Sequence, residues 1–258
     1  MNGEIKTKKG NIANKPTYGV YAGYSVFGAF FALAAGGIFL VLFGLYIGMV
    51  MVSIFGALIS MVFLWPALGI FASARLSNSN ASKYSFLSSC VKPRILDCGC
   101  GLGRRAIQLA KQLPTGGLLT GIDIFDKNSI NLNSLERAMK NAEIEGVSDR
   151  VKLMKGSVTE IPFENEKFDV VTCMGVLHEM RSPELRRRAF REVYRVLKPD
   201  GSFYLTEMSR RNMVKYMGVF GLMFKDRDYW NKQLTNNHFK ILSSKNSENG
   251  IEILSKKE

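Results

Sequence analysis

The sequence predicts an α/β protein with a mainly parallel sheet, preceded by two helices that span a membrane. Three observations lead to this prediction. An apolar strand runs through a glycine-rich loop into an apolar helix, strand and helix patterns alternate over residues 91–258, and residues 16–74 contain no charged residue. Alternating strands and helices are typical of a parallel sheet that helices cover on both faces.

The glycine-rich loop occupies the centre of the stretch Arg94–Arg104. It follows the apolar strand residues Ile95 and Leu96, and glycine then stands at every second position, at Gly99, Gly101 and Gly103. Glycine tolerates backbone angles that other residues avoid, and it lets a ligand approach the main chain closely. A strand, such a loop and a helix form half of a nucleotide-binding unit. Acidic residues end this strand and the next one, at Asp97 and Asp123.

The apolar periodicity of the remaining domain places its other elements. We predict strands at residues 94–98, 118–124, 151–155, 168–173 and 201–207, helices at 103–113, 129–144 and 183–197, and a terminal hairpin between Phe239 and Ser255. A Ser/Asn-rich linker that leads into a short helix, at residues 75–90, connects this domain (91–258) to the apolar run before it.

The apolar run 16–74 is long enough for two membrane-spanning helices, because one such helix needs about 20 apolar residues. We place the helices at Tyr21–Leu45 and Met49–Phe71, with a turn around Tyr46–Gly48. Neither has the polar face of a soluble helix, and the run exceeds the apolar core of a signal peptide, which has about 7–15 residues. Basic residues in segment 1–15 and after the hairpin predict that both ends and the domain are cytoplasmic.

The chain of 258 residues has a formal net charge of +13, which suits either nucleic acid or an anionic membrane face. The apolar hairpin favours an integral membrane protein whose domain lies against anionic lipid, so we expect no nucleic acid partner. Four cysteines without a CxxC spacing, and only two histidines, argue against a disulfide framework and a zinc site. The sequence therefore predicts no metal and a reducing compartment.

The motifs around the glycine loop resemble those of the class I S-adenosylmethionine-dependent methyltransferases, whose first motif is an acidic residue followed by alternating glycines. The resemblance extends from Tyr84 to the C-terminus, and it includes three further segments in the family order, Gly156–Phe163, Phe168–His178 and Glu192–Gly201. It points to the ubiquinone/menaquinone C-methyltransferase-like branch. It implies a Rossmann-like sheet of seven strands with one antiparallel strand, and S-adenosyl-L-methionine as the cofactor.

The resemblance also assigns cofactor contacts to the first two strands. Asp97 would lie beneath the glycine loop and contact the amino group, Asp123 would bind the ribose hydroxyls, and Ile124 would flank the adenine. Backbone groups of the loop would hold the methionine part of the cofactor, at Gly99, Cys100, Gly101 and Gly103.

Further contacts would come from the third and fourth strands. Ser157 and Val158 would lie at the adenine edge, where many relatives have aspartate, a stronger acceptor than serine. Cys173 and Met174 would lie beside the methyl group, although the apolar members of this set fit the sheet core equally well. His178 follows strand four, and we consider it as a general base or as a group that orients the acceptor.

A mainly apolar segment with basic flanks, Ser209–Lys225, follows strand five. In the family this part often builds the acceptor site, and its composition suits an interfacial helix, with an ordinary amphipathic cover helix as the alternative. In the interfacial reading, Arg210, Arg211 and Lys215 face anionic head groups.

These features predict a membrane-anchored methyltransferase that acts on a lipid or another lipophilic small molecule. Two alternatives remain. The basic charge allows a membrane-tethered methyltransferase of protein or nucleic acid. A non-catalytic membrane protein that only binds the cofactor is the other alternative, against which the complete glycine motif and Asp123 argue.

Overall fold

The computed structural model describes residues 15–19, 24–76, 84, 86–87, 91–248 and 250–258, and it describes residues 24–27 and 70–76 by their backbone only. Two long helices come first, α1 (Tyr24–Tyr46) and α2 (Val50–Leu76). The domain then consists of β1 (Arg94–Cys98), α3 (Arg104–Ala110), β2 (Leu118–Asp123), α4 (Leu135–Ile144), β3 (Val151–Lys155), β4 (Phe168–Met174), a 3₁₀ turn (Leu177–Glu179), α5 (Pro183–Val196), β5 (Leu197–Glu207), α6 (Arg210–Met217), a 3₁₀ segment (Gly218–Met223), α7 (Arg227–Asn236), β6 (Phe239–Ser247) and β7 (Gly250–Lys257).

The seven strands form one sheet in the order β3-β2-β1-β4-β5-β7-β6. Strands β1 to β5 pair in parallel, and β7 pairs antiparallel with both of its neighbours, β5 and β6. This topology confirms the prediction of a Rossmann-like sheet with seven strands. Between β1 and β4 the strand order reverses its direction, which matters for the position of the site.

Each face of the sheet has its own apolar core beneath the helices. On one face, Phe190 of α5, Phe203 of β5 and Trp230 of α7 are almost completely buried. On the other face, Ile107 and Leu109 of α3 are buried to the same degree. The central strands are apolar on both faces because both are covered, as expected for a parallel sheet.

Two elements begin at other residues than the sequence pattern predicts. α4 begins at Leu135 rather than near residue 129, because the Ser134 hydroxyl accepts a hydrogen bond from the Arg137 N–H (3.3 Å) and caps the helix. β5 begins at Leu197 rather than at residue 201, and its pairing with β4 is irregular there. Asp200 has a φ angle of 60° and turns the chain before the regular part of β5.

The two N-terminal helices are long and apolar enough to cross a membrane, over Gly28–Tyr46 and Val50–Gly69. Their bounds agree with the predicted hairpin to within a few residues, except that α2 continues to Leu76. The predicted start of the first helix at Tyr21 and most of the linker 77–90 lie outside the described residues.

Small residues let α1 and α2 approach each other closely. A Cβ at Gly37 would lie 2.5 Å from the Ser60 Oγ, and a Cβ at Gly56 would lie 2.6 Å from the Gly37 carbonyl oxygen. The hydroxyls of Ser53 and Ser60 donate to backbone carbonyl oxygens of α1, at 3.1 and 3.2 Å. Close contacts of this kind, with hydroxyl groups bonded across the interface, are typical of helices that pack within membranes.

The hairpin packs against α6 and the 3₁₀ segment after it. Gly69 approaches Tyr216 so closely that a Cβ would overlap the Tyr216 carbonyl oxygen. The Trp65 indole N–H donates to the Lys215 carbonyl oxygen (3.1 Å). Three aromatic rings with centroids 5.2 to 6.1 Å apart complete the contact, from Phe30, Phe63 and Phe220. The segment that we predicted to be interfacial is therefore the part of the domain that holds the hairpin.

Candidate functional site

The carboxyl ends of β1, β2, β4 and β5 meet at one edge of the sheet. Ligands of open parallel sheets bind at this edge, at the point where the strand order reverses, which here lies between β1 and β4. The glycine loop after β1 lies on one side of this point, and the 3₁₀ turn after β4 lies on the other. The acidic residues Asp97, Asp123 and Glu207 stand at or next to the ends of β1, β2 and β5.

The glycine loop needs glycine for its backbone angles and for its contacts. Gly99, Gly101 and Gly103 have φ angles of 74°, 52° and 84°, in the left-handed region that favours glycine. The Gly99 N–H donates to the Ile122 carbonyl oxygen (2.7 Å), which ties the loop to β2. A Cβ at Gly99 would overlap the Val176 side chain, so the loop lies directly against the exit of β4.

The Asp123 carboxylate holds the same loop from β2. Its Oδ2 accepts from the Gly101 N–H (2.8 Å), and its Oδ1 accepts from the Phe125 N–H (2.6 Å) and the Asn133 amide (3.3 Å). Burial raises the pKa of Asp123, although these three bonds act in the opposite direction. A carboxylate has about four acceptor sites, and the described residues use one of the two on Oδ2, so a ligand can bind at the other.

Asn133 supplies a second acceptor beside Asp123. Its side chain is 2% exposed, and its amide nitrogen donates to Asp123 and to the Asp126 carbonyl oxygen (3.3 Å each). Its Oδ1 is buried and has no hydrogen-bond partner among the described residues. A buried acceptor without a donor is costly, so this atom is a position where a ligand hydroxyl or amine would be stabilised.

Asp97 lies beneath the loop and is 2% exposed. The Thr172 hydroxyl from β4 donates to its Oδ1 (2.6 Å). Burial raises the pKa of Asp97 to about 7, although the Thr172 bond and the Arg105 guanidinium act in the opposite direction. A cationic ligand group near Asp97 would favour the ionised carboxylate and would be bound by it.

The remaining cofactor candidates on β2 and β3 differ in exposure. Ile124 is 57% exposed, beside Asp123, whereas Val158 is buried in the core. The Ser157 Oγ lies 2.8 Å from the Thr159 Oγ1 and accepts from the Thr159 N–H (3.2 Å). Ser157 is therefore engaged in a local turn and is a weaker acceptor than the aspartate that the family often has there.

The cysteines of the site are buried in the sheet. Cys173 is completely buried in the core of one face, and Cys100 and Met174 are buried on the other face. Burial raises the pKa values of the Cys100 and Cys173 thiols well above the ordinary value of a thiol, so both thiols remain protonated. The Cys173 side chain therefore lies in the sheet core, and its position beside the methyl group stays a prediction.

His178 pairs with a residue that the sequence analysis did not select. Its Nδ1 lies 2.6 Å from the Oε2 of Glu207, whose side chain is completely buried. The Oε1 of Glu207 accepts from the N–H groups of Val176 (3.2 Å) and Leu177 (2.7 Å). Glu207 therefore holds the whole 3₁₀ turn that carries His178.

Opposing charges surround the imidazole. Burial lowers the pKa of His178, but the carboxylates of Glu207 and Glu179 outweigh this effect, and the pKa is raised overall. Arg105 of α3 acts to lower it, and its guanidinium donates to the Thr206 hydroxyl at the end of β5 (2.7 Å). The Phe224 ring, just after the 3₁₀ segment, lies 5.9 Å from the imidazole.

Residues 15–19, which precede the first long helix, cross the domain beside the glycine loop. The Asn141 side chain of α4 accepts from the Thr17 N–H (2.8 Å) and donates to the Thr17 carbonyl oxygen (2.9 Å). The Tyr18 hydroxyl donates to Glu145 (3.1 Å). A Cβ at Gly19 would lie 3.1 Å from the Leu102 side chain, so residues 15–19 cover one side of the glycine loop.

Four residues of the site were missed by the sequence analysis: Arg105, Asn133, Thr172 and Glu207. Glu207 had a usable signal, because it ends a predicted buried strand as Asp97 and Asp123 do. Thr172 and Asn133 had no such signal. Thr172 looks like an ordinary β-branched strand residue, and Asn133 looks like a turn residue.

Comparisons with known proteins agree with this geometry. Residues 95–201 match the family described as "Methyltransferase domain". The chain is 30% identical over 158 residues to the demethylmenaquinone methyltransferase of Lactiplantibacillus plantarum, covering 56% of this chain and 63% of the relative. The chain spans less than two thirds of the length of the curated relatives that it matches first.

Solved structures share the fold. A SAM-dependent methyltransferase from Methanosarcina mazei has a TM-score of 0.54 at 21% identity, covering 68% of this chain and 98% of its own. The [4+2]-cyclase SpnF has the same TM-score at 22% identity, covering 66% and 76%. The comparisons confirm the predicted class I fold and its association with S-adenosylmethionine. Because one of the two structures is a cyclase, the fold by itself does not specify the reaction.

Proposed function

Since this chain carries a class I S-adenosylmethionine-dependent methyltransferase domain, we propose that it transfers methyl groups to a lipophilic acceptor that reaches the site from a bilayer. One observation carries the membrane part of the proposal. The segment between β5 and α7 contacts the apolar hairpin through Phe220 and contacts His178 through Phe224. A single short segment thus joins the two helices to the carboxyl edge of the sheet.

The residues at the sheet edge fit the cofactor. Asp97 and the loop backbone suit its ammonium and carboxylate end. Asp123 and the Asn133 Oδ1, which has no donor in the described part of the chain, offer two acceptors for the two ribose hydroxyls. The exposed Ile124 supplies apolar surface for the adenine, whereas Val158 lies in the core. When bound, the cofactor supplies a methyl group on a positively charged sulfur that leaves as a neutral thioether. The protein then has to align the acceptor and exclude water.

The apolar surface beside the hairpin supports a bilayer acceptor. Val219, Leu222 and Met223 of the 3₁₀ segment are 61%, 57% and 72% exposed, and they continue the exposed apolar surface of α1 and α2. An exposed apolar surface of this kind marks an interaction site for lipid or protein. In our proposal these side chains enter the acyl boundary, and the acceptor moves along them toward His178.

The predicted contact of the basic residues with lipid head groups needs a correction at Arg210. Its Nε donates to the Phe224 carbonyl oxygen (3.0 Å), and its guanidinium pairs with Asp226 (3.5 Å). Arg210 therefore braces the α6–α7 region and lines a small cavity of about 130 Å³ there. Arg211 and Lys215 remain our candidates for anionic lipid contacts, each worth about 1 kcal/mol.

The names of the relatives suggest an acceptor class, which we propose for this chain. One similar protein is named a demethylmenaquinone methyltransferase, and a quinone with a prenyl tail is a lipophilic molecule of the kind that a bilayer holds. We therefore propose an acceptor with an apolar tail and a small reactive head. Protein or nucleic acid acceptors, and cofactor binding without turnover, are the alternatives.

Methyl transfer to lipid tests this function directly. We expect full-length protein in vesicles of a membrane lipid extract to move label from methyl-labelled S-adenosylmethionine into the organic phase. A chain with Gly101→Val should bind no cofactor and serve as the control. Label that appears only in protein or nucleic acid added to the vesicles would support the first alternative. Cofactor binding without label in any fraction would support the second.

We also propose that both ends of the hairpin and the domain face the cytoplasm. Lys15 precedes the hairpin and Arg75 follows it, while the loop between the helices has no basic residue. Protease added to intact cells should leave a tag after Glu258 uncut, and should remove it only after the cells are permeabilised. Removal of the tag from intact cells would contradict this topology.

A further inference from the structure

We propose that Glu207 is the positioning residue that makes His178 the proton acceptor of the reaction, and that the substrate is a lipophilic phenol. This inference deepens the methyltransferase function proposed above and rests on it. It gives a role to a buried carboxylate that neither the glycine motif nor the family match explains.

The hydrogen bonds around Glu207 select one tautomer of His178. A carboxylate only accepts, so the proton of a neutral imidazole must lie on Nδ1, which is 2.6 Å from Glu207, and Nε2 is then the basic nitrogen. The carboxylate cannot turn away easily, since its other oxygen accepts two backbone N–H groups of the same turn. Val176 of that turn packs on Gly99, which fixes the imidazole relative to the cofactor loop.

A base of this kind is useful for acceptors that hold a proton at neutral pH. A thiol with a pKa of about 8.5 supplies some thiolate by itself, whereas an alkylamine, with a pKa of about 10.4 like that of lysine, is an ammonium ion at neutral pH. A phenol with a pKa of about 10 stays protonated at neutral pH and needs a base near the reacting atom. The Arg105 guanidinium, which donates to Thr206 and lowers the pKa of His178, favours a phenolate over an ammonium ion, and the Phe224 ring offers a stacking surface.

The proton and electron balance of the step is simple. The phenol O–H bond breaks, its proton moves to the Nε2 of His178, and its electron pair stays with the phenolate. The phenolate forms the new bond to the methyl carbon, while the bond from this carbon to sulfur breaks and its electron pair stays on sulfur. After the products leave, the imidazolium returns its proton to water.

The positioning role can be measured without any acceptor. The chain has two histidines, so ¹⁵N NMR of histidine-labelled protein in detergent, with a His238→Asn variant for assignment, reports on the His178 imidazole alone. We expect the Nδ1–H tautomer and a titration above the ordinary pKa, set by Glu207, Glu179 and Arg105. In Glu207→Gln the amide oxygen can keep the two backbone bonds while its NH₂ faces Nδ1. This variant should reverse the tautomer and lower the pKa.

Activity measurements with two probes test the acceptor class. We expect 4-octylphenol to be methylated and octylamine to be methylated at least 10-fold more slowly. The rate with the phenol should rise with pH through the His178 titration. His178→Asn and Glu207→Gln should lower kcat on the order of 10²-fold and remove this pH dependence, with unchanged affinity for S-adenosylhomocysteine. His238→Asn should match the unmodified protein.

The outcomes separate this inference from the proposed function. An unchanged tautomer in Glu207→Gln, or a phenol rate that keeps its pH dependence in His178→Asn, would overturn the positioning role. Methylation of octylamine but not of the phenol, or labelled lipid without transfer to either probe, would overturn the acceptor class and leave the methyltransferase function standing. No transfer to the probes or to lipid extract would overturn both.

Discussion

Replacing Asp97 by asparagine is expected to stabilise the ligand-free protein at neutral pH by up to about 4 kcal/mol. Burial raises the pKa of Asp97 from 3.8 to about 7, and each unit of such a shift corresponds to about 1.4 kcal/mol. Above pH 7 the folded protein must keep a buried carboxylate ionised without a cationic ligand. Asparagine has the same shape, accepts the Thr172 hydroxyl bond and removes this cost.

The pH dependence has a definite sign. The folded state binds the Asp97 proton more tightly than the unfolded state, so this group lowers stability progressively as pH rises from about 4 to about 7. The advantage of Asp97→Asn should therefore be small near pH 4, grow up to about pH 7 and stay constant above it. Denaturant unfolding of detergent-solubilised protein at several pH values measures this difference.

The same substitution should weaken cofactor binding. Losing a charge-assisted bond to the ammonium group costs about 1.5–3 kcal/mol, so the affinity for S-adenosylhomocysteine should fall roughly 10- to 100-fold by calorimetry. In the unmodified protein the affinity should also fall below pH 7, as Asp97 becomes protonated. Asp123→Ala removes an acceptor for the ribose and leaves the Gly101 and Phe125 N–H groups without this partner, so it should weaken binding without any gain in stability.

Asp169 provides a matched control for the stability effect. Burial acts to raise its pKa, but bonds from Lys198 (2.6 Å) and the Arg94 N–H (2.8 Å) outweigh burial and lower it. Its ionised form therefore stabilises the fold above the unfolded pKa, and this contribution is lost as pH falls. Asp169→Asn should destabilise the protein at pH 7. If Asp97→Asn behaves in the same way, the ionised Asp97 carboxylate does not lower the stability of the folded protein as we describe.

Replacing Gly69 by valine is expected to lower turnover of a bilayer acceptor on the order of 10²-fold and leave cofactor affinity unchanged. The new side chain would overlap the Tyr216 backbone and push α6 away from α2. Displacements of about 1 Å at a distance from the reacting atoms can reduce rates by this factor. The cofactor candidates lie at the ends of β1 to β4 and in the loops that follow β1, β2 and β3, which this contact does not include.

The control for Gly69→Val is Gly36→Val, in α1. A Cβ at Gly36 meets no atom within 4 Å, so this variant adds the same apolar group without displacing a helix. Rates are compared for a lipid acceptor in vesicles and for a short-chain analogue in solution, with the membrane fraction checked for both variants. Equal losses for the two acceptors in Gly69→Val, or equal losses in both variants, would mean that the hairpin contact does not deliver the acceptor.

The sequence by itself determined the elements and one half of the site. The alternating apolar pattern specified the seven strands, since strands that are buried on both faces must be apolar throughout, and uncharged residues 16–74 specified the two long helices. Five site residues were recognisable from their positions in the chain: Gly99, Gly101, Gly103, Asp97 and Asp123. The glycines, which let a ligand approach the backbone, alternate with other residues, and the two carboxylates end predicted strands.

Only the tertiary structure decided the other half of the site and its link to the hairpin. Glu207 and His178 are 29 residues apart, and they meet because β4 and β5 are neighbours in the sheet. Gly69 and Tyr216 meet because α6 leaves β5 on the side where α2 packs. Such pairings arise from strand order and helix packing over long separations, and these leave no periodic signal in the chain. The start of α4 has a different, local cause, because the Ser134 cap sets it rather than the apolar pattern.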